Sequence, residues 1–408
     1  MAANKTFDYG DLRVTLTNDY SWTYDTTGAS MEIFNFMNLS TWQPQRQGEM
    51  KALGTFAEGK SGQSYHDINK KRASVLVGPN PNTRPSRPAV ASPTDYTLLW
   101  TDKGSQGEHD GSIWRPIAPA GYVSLGDVCV YKYNKPSVDL VWCVRDDFAG
   151  TTQFQASPQW TDRRGNKLGL WPVKVFNAYT GIEGTPNIPV NADTFRAATG
   201  LGRPDPDLAR ILQLPLPRQY QKIDSSWPEI SKNTMPSKGQ LYSEKVQASV
   251  TLPFTCFFPP TDEDSLLKIR DPFCAITRST AYFAEGVWVN DAEGSLKRSA
   301  KVTCGITKEK REEFTHTVGV EISASGGIGL FESSVSLNYQ FTYSNSSTFT
   351  EFTQTEITQE FDVGPFYAKV LFSKHVWIKG TRSSGSIVIN ATEITASDDY
   401  IIKGCSLK

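Results

Sequence analysis

Between Thr317 and Ser344 the chain alternates between apolar and polar residues in two runs. Val318, Val320, Ile322 and Ala324 share one parity, opposite Thr317, Gly319, Glu321 and Ser323. In the second run Val335, Leu337, Tyr339, Phe341 and Tyr343 share a parity, opposite Ser334, Ser336, Asn338, Gln340, Thr342 and Ser344. A period of two predicts strands, and the glycine-rich stretch between the runs predicts a hairpin turn. That turn carries Ile328, Leu330 and Phe331, large apolar side chains where turn tips are ordinarily polar. Each run is near the ~9–11 residues that cross a bilayer as a strand. An apolar face for lipid and a polar face for water is the pattern of a membrane barrel strand. The reading is a membrane-insertion hairpin with Glu321, Ser323, Ser336, Asn338 and Gln340 facing the lumen. Because only a closed ring satisfies every backbone group in lipid, several copies must each donate a hairpin. Alternation also describes a soluble sheet with one wet face.

The first half carries a different pattern. Three segments read alike: SWTYDTTG from Ser21, LWTDKG from Leu99 and QWTDRRG from Gln159. Each predicts a strand running into a tight Asp/Gly turn. Each is followed by a second tryptophan beside a proline, in TWQP, IWRP and LWP. The Leu-Gly pairs Leu53-Gly54 and Leu125-Gly126 stand at the same offset from Trp42 and Trp114. Three copies predict three small sheets around a pseudo-threefold axis, a β-prism with tryptophans filling the centre. On this alignment Trp22, Trp100 and Trp160 are equivalent, as are Trp42, Trp114 and Trp171. The alternative is one irregular β-sandwich with chance repetition. Loops Thr26–Ser30, Lys103–Gly111 and Arg163–Gly169 are the candidate binding loops of that frame.

Prolines 204, 206, 215, 217, 228 and 236 mark residues 202–238 as a linker. Asp205 as N-cap with Pro206 at the first helical position predicts one short helix in it, ended before Pro215. The organisation read from the sequence is a binding domain over 1–201, this linker, and a second β domain over 239–408.

Composition sharpens the reading of the second half. From Glu312 to Ala368, 57 residues, there is no Lys or Arg, and 16 residues are Ser or Thr. Solvent-facing strands ordinarily use Lys and Glu against edge pairing. Over the whole chain 42 basic and 43 acidic residues nearly cancel, which argues against a nucleic-acid partner. No run of about 18 apolar residues is present for a transmembrane helix, and the N-terminus lacks a signal-peptide core. Release without a conventional signal peptide is the expectation. The six cysteines form no C-x-x-C pair and read as free buried thiols, and the four histidines lack metal-ligand spacing. No nucleophile elbow, P-loop or dinucleotide fingerprint occurs. The expectation is therefore no enzyme, no catalytic residue, no cofactor and no metal.

Two resemblances extend these readings. The ordered string Asp95-Tyr96-Thr97-Leu98, Ile113-Trp114 with Pro116, Pro119, Gly121-Tyr122, Leu125-Gly126, Pro136 and Cys143-Val144-Arg145 resembles the vacuolar protein sorting family numbered sixty-two, over roughly residues 30–195. That family implies no catalytic residues. The Ser/Thr-rich amphipathic hairpin makes residues 238–408 similar to the aerolysin-like β-pore-forming toxins. Together with the β-prism read from the repeats, this resemblance implies an all-β protein, a β-prism-like domain followed by an elongated aerolysin-like sheet domain. It further implies an insecticidal or cytolytic toxin, soluble as a monomer or small oligomer, that binds a cell-surface receptor (protein or glycan) and forms a homo-oligomer in the target membrane. The alternatives are a lectin-like binding protein without pore activity and an intracellular trafficking factor.

Overall fold

The computed structural model describes residues 3–29, 37–163, 167–173, 187–215, 228–256, 258–304, 320–322, 328–330, 355–382, 385 and 387–408. The fold is all-β, with only short helical turns among the described residues. Two compact units are present. One comprises chiefly Met1–Pro217 with Pro253–Pro272, the other Arg218–Leu252, Phe273–Phe331 and Ser336–Lys408.

In the first unit the described strands make six three-stranded antiparallel sheets. Three of them share one plan. They are Tyr20–Asp25, Met37–Pro44 and Phe56–Ser61; then Asp95–Thr101, Gly111–Ile117 and Val128–Tyr131; then Trp160–Asp162, Leu168–Pro172 and Phe195–Thr199. Their registers coincide: Tyr24 pairs with Thr41, Trp100 with Ile113 and Trp160 with Leu170. On the far side of the middle strand, Trp42, Trp114 and Trp171 pair with Phe56, Val128 and Arg196.

The inner faces build one core, with Tyr24, Leu39 and Ala57 from the first sheet and Trp100, Ile113 and Cys129 from the second. The third sheet adds Trp160, Leu168, Leu170, Phe195 and Ala197. Tyr24 and Trp100 meet edge to face with centroids 5.9 Å apart, as do Trp100 and Trp160, the geometry that ring quadrupoles favour. The indole N–H groups run from sheet to sheet: Trp100 Nε1 donates to Asp162 Oδ2 at 2.9 Å, and Trp160 Nε1 donates to the Met37 carbonyl at 2.9 Å. Burial, reinforced by the Asp102 carboxylate, pushes the Tyr24 phenol up, so it remains a donor. Gly111 gives the Tyr24 ring its room, since a Cβ there would lie 2.3 Å from Tyr24 Cδ2. At one end the Leu-Gly pairs converge: a Cβ on Gly54 would lie 3.0 Å from Gly126 Cα and 2.9 Å from Thr194 Cγ2. Beside them buried Asp127 accepts from Arg115 Nη2 at 2.9 Å, Arg196 Nη1 at 2.9 Å and the Ala197 amide at 2.8 Å.

Two expectations about the tryptophans are corrected here. Trp42, Trp114 and Trp171 do not fill the centre. Consecutive strand residues face opposite ways, so these rings anchor clusters on the outer faces, with Ile68, Val141 and Phe154 respectively among their partners. Nor is Trp22 the equivalent of Trp100 and Trp160; Tyr24 is. Trp22 pairs with Trp42 and corresponds to Leu98, which pairs with Trp114. The ladder is irregular between Trp22 and Tyr24 and again between Leu98 and Trp100. Thr26 then takes the place of Asp102: Thr26 Oγ1 accepts from the Leu39 amide, as Asp102 Oδ1 does from the Gly111 amide, both at 3.0 Å.

The other three sheets, one per repeat, join Phe7–Tyr9, Leu12–Thr17 and Ser74–Pro79; Val90–Ala91, Tyr122–Val123 and Cys143–Arg145; and Ala149–Thr151, Asn187–Val190 and Arg210–Pro215. The last strand buries Ile211, Leu212 and Leu214. The proline-rich stretch therefore enters the first unit before any linker begins. Its expected helix is a single 3-10 turn, Pro206–Leu208, with Asp205 Oδ1 accepting from the Asp207 amide at 3.0 Å.

The second unit is organised by four strands, Leu241–Pro253, Phe273–Asn290, Tyr367–Arg382 and Ile387–Ser406, in that order across one sheet, the last three antiparallel. Ala284, Val370 and Phe372 form the centre of its apolar cluster, with Tyr242, Tyr282 and Ile401 packed around them. A register shift between Ala284 and Gly286 admits Glu285, which accepts from Ser373 Oγ at 2.6 Å. His375 Nε2 lies 2.8 Å from the same Oγ. Ser373 is fully buried and its proton is directed to Glu285, so this trio braces the sheet. Leu296–Cys304 and Thr355–Val363 form a separate two-stranded ladder.

The registers generate a stability test. Trp100→Ala and Trp160→Ala each cost about 3–5 kcal/mol in denaturant unfolding, while Trp22→Ala, at a half-buried site, costs clearly less. Equal losses at all three would reinstate the Trp22 alignment. Gly111→Ala costs about 1–3 kcal/mol by overpacking, and combining it with Tyr24→Leu recovers part of the loss.

Candidate functional site

Two features stand out from the frame. The first is an open cavity of about 360 Å³ in the first unit, lined by Trp22, Asp25, Thr27, Tyr65 and His109. Asp25 sits at its base, 1% exposed. Its Oδ1 accepts from the Thr27 amide at 2.9 Å and lies 3.2 Å from His109 Nδ1. The Thr27 carbonyl accepts from the Glu108 amide at 2.9 Å, which ties the 103–110 loop of the second repeat to the first repeat. Around Trp22 stand three more rings, with centroids 4.8 Å away for His109, 5.8 Å for Tyr131 and 6.1 Å for Tyr65. Tyr65 and Tyr131 are 47% and 50% exposed. Aromatic walls over a few fixed polar groups are what small-ligand sites present.

Two of the three loops singled out in the sequence meet here, through Thr27 and His109. The described residues of Arg163–Gly169 supply no lining side chain. Tyr65 and Tyr131 were missed. The available signal was Trp22-Thr23-Tyr24, which carries two aromatics two residues apart where the frame uses one.

The second feature lies in the second unit. Residues 305–354 leave and rejoin the two-stranded ladder at its end, where Cys304 is paired with Thr355. Within this span Val320–Ile322 pairs with Ile328–Leu330, matching Val320 with Leu330, Glu321 with Gly329 and Ile322 with Ile328. Ile328 and Leu330 are thus strand residues; the connection is 323–327, shorter than the turn read from the sequence. Val318, Ser323, Ala324, Phe331, Val335, Ser336, Leu337, Asn338, Tyr339, Gln340, Phe341 and Tyr343 lie outside the described residues.

Among the described residues no helix is long and apolar enough to cross a membrane, which says nothing about strands. Cys129 and Cys143 are free, buried thiols, and Cys256 and Cys274 are buried as well. Burial pushes the Cys129 and Cys143 thiols up to about 12, so both stay protonated and unreactive at neutral pH.

Among solved structures, GNIP1Aa from Chromobacterium piscinae is 20% identical over 48% of this chain and 35% of its own, with a TM-score of 0.35. This chain thus spans about a third of that protein's length. Cry35Ab1 is 10% identical over 98% of this chain and 90% of its own, with a TM-score of 0.33. Neither overlap carries a functional argument. No curated protein matches the sequence. The profile of vacuolar protein sorting-associated protein 62 matches residues 3–214, which takes in all three repeats and the strand that closes the third. With more than half of its 408 residues matched, the chain belongs to the vacuolar protein sorting-associated protein 62 family.

Proposed function

We propose that the protein is a cytolytic pore-forming toxin. The first unit attaches to a receptor on the target cell, copies assemble into a ring, and each copy donates residues 305–354 to a shared transmembrane β-barrel. The observation that carries this reading is the attachment of that segment. It is inserted at one end of an antiparallel ladder, between the paired residues Cys304 and Thr355, so it can extend or refold without disturbing the strands that hold it. Composition agrees, since no Lys or Arg occurs from Glu312 to Ala368. A strand that must pass through hydrocarbon meets its largest penalty from such cations, about 2–4 kcal/mol each at the midplane. The alternation across 317–344 supplies a lipid face and a water face in every copy.

Replacing 305–354 by Asn-Gly tests this directly, because Cys304 and Thr355 are already partners and a two-residue turn can close them. The variant is expected to fold with wild-type melting behaviour and to bind target cells, yet release no dye from them. Dye release at the wild-type level would remove the insertion role and leave a binding protein without pore activity. The pore is also expected to prefer cations, because Glu321 repeats around the ring with no basic residue from Glu312 to Ala368 to oppose it. Reversal potentials in planar bilayers under a salt gradient check this, and Glu321→Gln is expected to weaken the preference. Anion preference would contradict it.

A further inference from the structure

The cavity beside Trp22 lies where the threefold frame is broken. Trp22 and Leu98 occupy the same register position, each paired with the second tryptophan of its repeat. The sheet is therefore satisfied by an aliphatic residue there, and the indole of Trp22 is additional. Its neighbours are additional as well, since Tyr65 and Tyr131 leave about half their surface in water rather than joining a core.

The polar groups beneath these rings are fixed and carry a sense. Asp25 is buried, and its Oδ1 holds the Thr27 amide and His109 Nδ1. Both of these contacts fall on Oδ1. With Nδ1 donating to the Asp25 carboxylate, the neutral imidazole of the half-exposed His109 offers Nε2 as an acceptor. The cavity thus offers aromatic faces, which take an apolar C–H surface, above two oriented acceptors, which take hydroxyl donors. A pyranose has both on opposite aspects of one ring. A quaternary ammonium would use the rings and the negative charge, but it has no hydrogen to give to Nε2 or Oδ2. The acceptor pair therefore favours the sugar.

From this arrangement we infer that the Trp22 cavity is a carbohydrate site that takes one terminal pyranose of a cell-surface glycan, stacked on the aromatic wall with hydroxyls donated to Asp25 and His109. The inference rests on the proposed attachment role of the first unit and gives that role its ligand class.

The test uses the full chain on a panel of immobilised glycans with different terminal hexoses, with free methyl glycosides and phosphocholine as competitors. Tyr65→Ala and His109→Ala alter exposed or half-exposed side chains, and their melting curves establish that they fold. Expected is retention on at least one glycan, displaced by its methyl glycoside and weakened at least tenfold in both variants. Retention on no glycan, or glycan retention unchanged in both folded variants, overturns the inference. So does a cavity-dependent interaction displaced by phosphocholine alone. Dye release from plain phosphatidylcholine vesicles at high protein concentration reads insertion separately. Glycan binding with no dye release from any protein would remove the pore reading and leave the carbohydrate site standing; dye release without glycan binding would do the reverse.

Discussion

Three aromatic side chains from three sheets share one axis in the first unit, and the two indoles among them hand their N–H to another repeat. Trp100 reaches Asp162 and Trp160 reaches the Met37 carbonyl, while Tyr24 packs edge to face on Trp100. A buried indole or phenol without a partner would cost about 1–3 kcal/mol. The three sheets therefore close in a relative arrangement that satisfies both indoles while packing the three rings together. The register of each sheet follows from this, because sliding a strand by one residue would turn its aromatic outward. Gly111, Gly54 and Gly126 are where the axis leaves no space for a side chain.

A frame held this firmly at its centre leaves its ends free to vary. The pocket residues come from the first sheet, from the loop after Phe56–Ser61 and from the loop that Glu108 ties to Thr27. Their positions are set by the frame, while their identities are not required by it. That separation lets a cavity arise at a single repeat. In the second unit the four long strands form a continuous sheet braced at Glu285, Ser373 and His375. The hydrogen bonds of His375 and Ser373 outweigh burial and lower the Glu285 carboxyl below its usual range. Residues 305–354 are attached to the shorter, separate ladder.

The threefold repeat was legible because tryptophan is rare enough for its spacing to register. The faces of those tryptophans were not legible. Trp22-Thr23 and Trp100-Thr101 look identical as strings, and only the ladder irregularity beside each shows that the core residue is Tyr24 in one and Trp100 in the other. The second set of sheets was invisible because strands such as Val90–Ala91 and Tyr122–Val123 are too short to carry a period. Pro204 to Pro217 read as a linker on composition alone, yet Ile211, Leu212 and Leu214 between those prolines close the third repeat. The cavity combines side chains as distant in sequence as Trp22 and His109, so no local motif could announce it.

The proposed toxin acts through one event, the conversion of residues 305–354 into part of a shared barrel. Electron micrographs of full-length protein on membranes it has permeabilised test that event most directly. Closed rings of uniform diameter, with a stain-filled centre and absent for the variant lacking 305–354, are the predicted result. Permeabilised membranes that carry only dispersed single molecules would contradict it.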